Sequence, residues 1–414
     1  MSISAHPSSF IQNTATWRDI LAKSVLFFFG IALWHKGLSF YAYYGLPLVW
    51  VLDGGLRRFR EILKEPLVLG MLLLCFVLAV GILWSDEPRL GFKVWRKYFA
   101  FLVFIPYLGL LNKERLPWAI GGALMGYFGA LLIGVYQWLV TGAQGIPALA
   151  MPYLHFSSML GIGVILALYL ASTSKNKTKK SVFWCLVIFL LFVQFNQHAR
   201  GILVATLVSS LFLVFLLHKR KFKRLLAIIA SFTLAIGVFA YNSAGFHERL
   251  AQAKQDFEVA KQGNYHTSLG YRLALWDVGL HGIAERPFFG HGTGMATSYF
   301  DKTAQTYKNG IYNSALKMHD TLHFHNDWIE IGMHLGLLGF AAYAFFLWSW
   351  FQTFRRRELA ILGATVICFI LLSGLTDLLV FFRQTIYLLL VISAISVKWD
   401  KAYKPAFQPI EKLP

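Results

Sequence analysis

The chain has 414 residues, of which 57% are hydrophobic and only 14% are charged. A soluble domain of this length usually has about a quarter charged residues, so the composition excludes an ordinary soluble enzyme. The formal net charge is +19, but most Lys and Arg lie in short clusters between apolar runs, which favours membrane topology over nucleic-acid binding. The three cysteines, Cys75, Cys185 and Cys368, lie inside apolar runs and therefore predict neither a disulfide framework nor a cysteine metal site.

Apolar runs long enough to cross a hydrocarbon core of about 30 Å recur along the whole chain. We predict an all-α integral membrane protein of about twelve transmembrane helices, with a large helical loop between spans nine and ten. The domains are spans one to nine over 1–241, the loop over 242–326, spans ten to twelve over 327–397 and a tail over 398–414. The twelve spans cover residues 20–34, 41–52, 67–84, 98–111, 118–140, 154–171, 182–195, 202–217, 225–241, 328–351, 359–373 and 378–397.

Lys and Arg clusters set the predicted orientation, because cytoplasmic loops carry an excess of these residues. Basic clusters follow the even-numbered spans, near residues 57–64, 113–115, 175–180, 219–224 and 355–357. These loops and both termini are therefore predicted to be cytoplasmic. The segment 141–151 after span five has no charged residue, as expected of a translocated loop.

The long connection 242–326 is predicted to lie outside and to be helical. Residues 246–262 have an amphipathic pattern, and residues 268–285 form a second predicted helix, with Ser268 as its cap and Pro287 as its stop. Residues 290–294 (GHGTG) resemble a phosphate-binding loop, but they follow a helix and not a strand. We therefore predict a tight turn that returns the chain to the membrane surface.

Several basic residues lie on the predicted outer side, against the topological bias. A polyanion at the outer interface explains their retention, because Arg forks bind phosphate through paired hydrogen bonds. Snorkelling to lipid headgroups, or pairing with Asp86 and Glu87, is the alternative. Gly201, next to one of these residues, is predicted to give a ligand access to the backbone. The basic residues are Lys93, Arg96 and Lys97 before span four, Arg200 in the turn 197–201, Arg272 in the loop and Arg383 near the outer end of the last span.

Two further motifs lie in the loop. Arg272 and Trp276 are four residues apart, so a helix places both on one face. His323 and His325 precede span ten, where a histidine can take a proton from a hydroxyl. The pair could also bind a metal with His319, Asp320 or Asp327 nearby, although the sequence has no His-Glu-x-x-His spacing, and a plain interfacial role stays open.

Together these residues resemble the O-antigen ligase superfamily, which also includes O-antigen polymerases and some protein O-oligosaccharyltransferases. The resemblance rests on Arg272-x-x-x-Trp276, residues 285–292 (ERPFFGHG), His325–Asn326 and residues 336–339 (GLLG) in the next span. Arg200–Gly201 at the start of span eight adds to it, and most of the chain is covered.

For the ligases, named WaaL, the resemblance implies a GT-C-like membrane glycosyltransferase with no cofactor and no required metal. The donor is O-antigen on undecaprenyl pyrophosphate, the acceptor is a sugar hydroxyl of lipid A-core, and the bond forms with inversion at the periplasmic face of the bacterial inner membrane. The essential two Arg and one His of the family map onto Arg200, Arg272 and His325, and His323 is close enough to leave the last assignment open. Membrane lipids are the other expected partners, and nucleic acid is not one.

The predicted roles follow from the charges. Arg200 and Arg272 would stabilise the leaving pyrophosphate as it gains charge, and His325 would deprotonate or orient the acceptor hydroxyl. The predicted site is the seam between the loop and the membrane. The residues expected to bind the pyrophosphate or the lipid A-core are Lys93, Arg96, Lys97, Arg383 and Trp276.

Three alternatives remain at this point. A polymerase or a protein O-oligosaccharyltransferase belongs to the same enzyme class, whereas a lipid flippase or transporter belongs to another. A transporter is expected to have charged residues near mid-span and inverted repeats. The sequence indicates few buried charges, and Asp377 and Arg383 flank the last span near its outer edge.

Overall fold

The computed structural model describes residues 7–221, 244–318 and 323–403, together with scattered residues between 223 and 241. Throughout these residues the regular structure is helical, apart from one isolated β-bridge between Ile146 and Met151. The ninth predicted span, 225–241, lies partly outside the described residues and stays a prediction.

Ten α-helices form the first part of the described chain. They are α1 Pro7–Ala32, α2 Lys36–Leu52, α3 Gly55–Ile62, α4 Pro66–Val80, α5 Pro88–Lys97, α6 Phe104–Leu110, α7 Leu116–Thr141, α8 Tyr153–Thr173, α9 Lys177–Phe195 and α10 Arg200–His218.

Six more α-helices follow in the second part. They are α11 Ala244–Lys261, α12 Ser268–Glu285, α13 Ala296–Thr303, α14 Asp327–Arg355, α15 Ala360–Thr376 and α16 Arg383–Tyr403. Short 3-10 helices include Gly81–Trp84, Tyr98–Val103, Tyr307–Met318 and Leu379–Phe381.

The predicted fold class, an all-α integral membrane protein, is confirmed. Within the described residues, six helical segments are long and apolar enough to cross a membrane, and α15 is a shorter apolar helix. Predicted spans one and two fall largely within α1 and α2, but span four is divided between the 3-10 helix Tyr98–Val103 and α6. The count of twelve stays a prediction. The six segments are Pro66–Trp84, Leu116–Thr141, Tyr153–Thr173, Lys177–Phe195, Arg200–His218 and Asp327–Arg355.

Helices α12 and α13 and the 3-10 helix Tyr307–Met318 share a small core, and α11 packs against α12. We call residues 244–318 the loop unit. In this core Tyr271 and Leu275 of α12 pack with Phe300 of α13. Phe324 and Met333, from the start of the chain's return to the bundle, complete it. The loop unit is therefore built around the first turns of α14, and the described residues of this connection are largely helical, as predicted.

The two predicted loop helices are observed, as α11 and α12. The cap of α12 differs from the prediction, because the side chain of Thr267, and not Ser268, accepts the Gly270 N–H at 3.1 Å. The Ser268 hydroxyl is available to Arg272 instead, whose Nη1 lies 3.2 Å away.

The glycine-rich turn 290–294 joins the loop unit to the helix bundle. The Thr293 hydroxyl donates to the Leu78 carbonyl at 2.7 Å, and its N–H donates to the Gly81 carbonyl at 3.0 Å. Gly336 interrupts α14 with φ +57°, a conformation that favours glycine, and the Leu337 N–H then donates to the Pro287 carbonyl at 2.7 Å. The start of α14 thus belongs to the loop unit and the remainder to the bundle.

Candidate active site

A buried carboxylate lies at the centre of the site. Asp377 follows α15 in extended backbone, and its side chain is 3% exposed. Its Oδ1 lies 3.1 Å from His325 Nδ1 and 3.8 Å from His323 Nε2, and its Oδ2 lies 3.9 Å from Arg272 Nη2. The Leu378 N–H also donates to Oδ1, at 2.8 Å. Asp377 therefore brings together three of the predicted catalytic residues, although the sequence placed it only beside the last span.

The charge of Asp377 is maintained by its neighbours. Burial by itself raises the pKa of this carboxyl, but hydrogen bonds from His323 and His325 outweigh burial and hold its pKa well below the usual range. The carboxylate is thus ionised at neutral pH. A buried negative charge next to two imidazoles and a guanidinium can stabilise positive charge that forms on a histidine during a reaction.

The backbone of residues 323–326 is anchored on both sides of the histidines. His325 has φ +49°, a left-handed conformation that costs a non-glycine residue about 1–3 kcal/mol and clusters at functional sites. The Phe324 N–H donates to Glu330 Oε2 at 2.9 Å. Asn326 caps α14 through its side-chain oxygen, and its Nδ2 donates to the Leu375 carbonyl at 3.1 Å. These contacts fix His323 and His325 against Asp377.

Glu330 and His334 form a second, fully buried layer behind the histidines. They are one turn apart on α14, with Glu330 Oε1 at 3.3 Å from His334 Nε2. His334 Nδ1 in turn faces the Gly294 N–H at 3.3 Å. The sequence analysis did not single out this pair, because the apolar run 328–351 contains two polar residues that lie one turn apart.

Of the predicted pair on α12, Arg272 reaches the site. Its Nη2 faces Asp377, whereas its Nε is buried and has no hydrogen-bond partner within the described part of the chain. Trp276 packs against the core of the loop unit. The predicted role of Trp276 in substrate binding stays a prediction.

Arg200 begins α10 and faces the loop unit. Its Nη2 donates to Gln252 Oε1 of α11 at 3.2 Å. The prediction that Gly201 opens the backbone to a ligand was wrong, because a Cβ at this position would lie 2.6 Å from Thr376 Oγ1. Gly201 instead allows α10 to approach Thr376 at the end of α15, one residue before Asp377.

The basic residues of α5 divide into two groups. Lys97 Nζ lies 4.5 Å from the centroid of the Phe381 ring, and that ring meets the His323 ring edge to face at 6.3 Å. Lys93 and Lys97 line one cleft, but Arg96 lies over Phe92 at 5.8 Å from the ring centroid. Arg96 therefore does not line the cleft that Lys93 and Lys97 share, and its role in binding stays a prediction.

Two clefts meet at the start of α13. The first is lined by Lys93, Lys97, Glu330 and His334, and the second is lined by Tyr271, Phe300 and His323, with Ala296 and Thr297 lining both. Burial lowers the pKa of Lys97, Glu330 opposes this shift and Lys93 adds to it. The clefts follow the seam between the loop unit and the bundle, from the basic residues of α5 to the histidines.

Two further polar residues, Arg383 and His155, lie at the starts of α16 and α8. Arg383 begins α16 and its side chain is exposed. His155 of α8 was missed by the sequence analysis; its Nδ1 lies 2.6 Å from Gln384 Oε1 and its ring stacks on Phe382 at 4.5 Å. The only signal in the sequence is a titratable side chain at the start of an apolar span.

The site also has the donor set of a metal centre. One ligand atom each from His323, His325 and Asp377 lies within 4.8 Å of the others. Of the additional ligands considered from the sequence, Asp327 is hydrogen-bonded to the Tyr343 hydroxyl at 3.1 Å, and His319 and Asp320 lie outside the described residues.

Comparison with known proteins now adds an independent observation. Residues 184–344 match a family model described as O-Antigen ligase. An O-antigen ligase of Escherichia coli strain K12 is 26% identical over 243 residues, which cover 58% of this chain and 55% of that protein. These findings support a relationship between this chain and the O-antigen ligase superfamily. The family match includes Arg200, Arg272 and His325, whereas Asp377 lies beyond it.

A second relative matches a shorter segment of this chain. A protein of Haemophilus influenzae strain Rd, described only as an uncharacterized protein, is 29% identical over 137 residues, which cover 31% of this chain and 32% of that protein. The matches thus span about half of one curated relative and about a third of the other. Similarity to an O-antigen ligase, together with the apolar helices, supports a multi-pass, glycosyl-transferring membrane enzyme.

Proposed function

We propose that the chain transfers O-antigen from undecaprenyl pyrophosphate to a sugar hydroxyl of lipid A-core, at the periplasmic face of the inner membrane. The observation that carries the proposal is the gathering of Arg272, His323 and His325 around the buried carboxylate of Asp377. This arrangement combines a proton acceptor with positive charge, which is what attack by a hydroxyl on a sugar pyrophosphate requires.

The proton acceptor is His325. Its Nδ1 is 3.1 Å from Asp377 Oδ1, so an N–H at Nδ1 donates to the carboxylate and Nε2 carries the lone pair that receives the hydroxyl proton. The tautomer is assigned from this contact. Asp377 then stabilises the imidazolium of His325. His323 Nε2 lies 3.8 Å from the same carboxylate oxygen, Asp377 Oδ1, and is the second histidine beside this carboxylate.

Arginine supplies the positive charge for the leaving group. As the acceptor oxygen bonds to the anomeric carbon, the bond from that carbon to the phosphate oxygen breaks and its electron pair stays on the pyrophosphate. The Nε of Arg272 has no hydrogen-bond partner among the described residues, and its Nη2 makes only a long contact of 3.9 Å to Asp377 Oδ2, so the guanidinium would donate to phosphate oxygens. Arg200 approaches from α10, and the developing charge makes both contacts stronger in the transition state than before it.

The lysines of α5 extend the positive surface along the seam. Lys93 and Lys97 line the cleft that meets the histidine cleft at Ala296 and Thr297. They would hold phosphate groups of the donor or of the anionic acceptor. Arg383 would add charge from the start of α16, and inversion follows from a single displacement at the anomeric carbon.

The acceptor distinguishes the ligase from its relatives. The test incubates the purified chain in lipid nanodiscs with a lipid-linked glycan, and offers lipid A-core, a second lipid-linked glycan or an acceptor protein. Glycan attached to lipid A-core is the expected product. Longer lipid-linked chains would identify a polymerase, and glycosylated protein an oligosaccharyltransferase. Movement of the lipid-linked glycan across vesicles without any transfer would overturn the enzyme proposal in favour of a flippase.

A further inference from the structure

Three side chains of the site have the chemistry of metal ligands as well as that of catalysts. His323 and His325 offer imidazole nitrogens, and Asp377 offers a carboxylate oxygen, all within 4.8 Å of one another. The two histidine side chains are 19% and 15% exposed, so an ion can reach them from solvent. Asp377 is buried beneath the two histidines and forms the closed end of the site.

We propose that His323, His325 and Asp377 bind a transition-metal dication of the Zn²⁺ class, and that this ion inhibits the enzyme reversibly. Two imidazoles and one carboxylate are a donor set that Zn²⁺ accepts and that Mg²⁺ and Ca²⁺ do not favour. Three protein ligands leave one position for water or for an anionic oxygen. The inhibition, but not the binding, rests on the proposed function.

The ligands need little movement to enclose an ion. Ligand atoms of a tetrahedral Zn²⁺ site lie about 3.3 Å apart when each bond is near 2.0 Å. His325 Nδ1 and Asp377 Oδ1 are already 3.1 Å apart, and His323 Nε2 is 3.8 Å from the same oxygen. Glu330 holds the segment between the histidines through the Phe324 N–H. The folded chain therefore preorganises the donor set before an ion arrives.

One neighbour limits how tightly the ion binds. Arg272 Nη2 lies 3.9 Å from Asp377 Oδ2, and a cation so close competes for the carboxylate and repels a dication. We therefore expect a site that fills when metal is added and empties when a chelator removes it. An ion bound at His325 Nδ1 takes the lone pair of that nitrogen, so the ring proton moves to Nε2. Nε2 can then no longer accept the hydroxyl proton, and transfer is blocked.

Direct binding tests the site without any substrate. The metal-stripped, full-length chain in nanodiscs is titrated with Co²⁺, whose visible absorption reports a low-coordinate nitrogen and oxygen site, and Co²⁺ is then displaced by Zn²⁺. Asp377→Asn and His323→Ala should each weaken Co²⁺ binding at least tenfold. His281→Ala is the matched control, because His281 lies in the loop unit, faces Glu285 and stacks on Tyr307. This variant should bind Co²⁺ as the unchanged chain does.

Activity tests the inhibition separately. Added Zn²⁺ should stop glycan transfer and excess chelator should restore it, whereas chelator alone should leave the rate unchanged. Equal Co²⁺ binding by the unchanged chain and by the combined variant His323→Ala, His325→Ala, Asp377→Asn would overturn the site. Transfer that needs Zn²⁺ would overturn the inhibitory role. Site-specific Co²⁺ binding by a chain that transfers no glycan would uphold the site and count against the proposed function.

Discussion

Replacing Asp377 with Asn removes one negative charge from the site and keeps nearly the same side-chain volume. The amide oxygen can still accept the hydrogen bond from His325 Nδ1, so the histidine stays in place. What is lost is the attraction between the carboxylate and the imidazolium that forms when His325 takes the hydroxyl proton. Asp377→Asn is therefore expected to lower kcat, with a smaller effect on KM.

The size of the effect follows from the distance. Two unit charges separated by the observed 3.1 Å interact by about 5 kcal/mol at an effective dielectric constant of about 20, and by about 1 kcal/mol in bulk water. Asp377 is 3% exposed and His325 is 15% exposed, so the site lies nearer the first value. Since about 1.4 kcal/mol changes a rate tenfold, we expect kcat to fall by about 100-fold or more.

The assay measures transfer of a lipid-linked glycan to lipid A-core by purified variants in nanodiscs. Asp277→Asn is the matched control, because Asp277 lies on the same helix as Arg272 but contacts Lys308 and Tyr312 instead. It should transfer at a rate close to that of the unchanged chain. An Asp377→Asn variant that folds and keeps its kcat within threefold of the unchanged chain would refute the role given to the carboxylate.

Three further predictions concern the surrounding residues. Arg272→Ala and Arg200→Ala should each reduce transfer at least 100-fold while the protein still inserts into the membrane. Lipopolysaccharide analysis measures the transfer, and membrane fractionation measures the insertion. Normal capped lipopolysaccharide in cells that carry one of these variants would remove the substituted arginine from the site. Glu330→Ala should slow transfer about tenfold or more beyond Glu330→Gln, because only Gln keeps an acceptor for the buried Phe324 N–H, and equal rates would contradict this positioning role. Burial raises the pKa of Asp277, but the hydrogen bond from Lys308 more than offsets burial, so the pKa is lowered. The stability that this contact gives the loop unit is therefore present above the ordinary carboxyl pKa and is lost as the pH falls through the lowered pKa. Limited proteolysis should show earlier cleavage of residues 307–318 in acid than at neutral pH, and Asp277→Asn should be cleaved equally under the two conditions.

The sequence by itself determined the features that depend on residues close together along the chain. Hydropathy over about twenty residues identified the membrane helices, amphipathic spacing identified α11, and a pattern of cap and proline stop identified α12, because these signals are local along the chain. Residue type and predicted side pointed to Arg200, Arg272, His323 and His325. The structure changed details of these predictions, among them the cap of α12 and the access to the backbone at Gly201.

Only the tertiary structure decided which of the candidates meet. Asp377 and His325 are 52 positions apart in sequence, and nothing in the apolar pattern between them indicates their contact. Glu330 and His334 were likewise hidden within an apolar span, because hydropathy averages over a window and cannot show which side chains are buried together. Side chains separated by many residues meet only through helix packing, and so the site became visible only when the loop unit and the bundle were placed against each other.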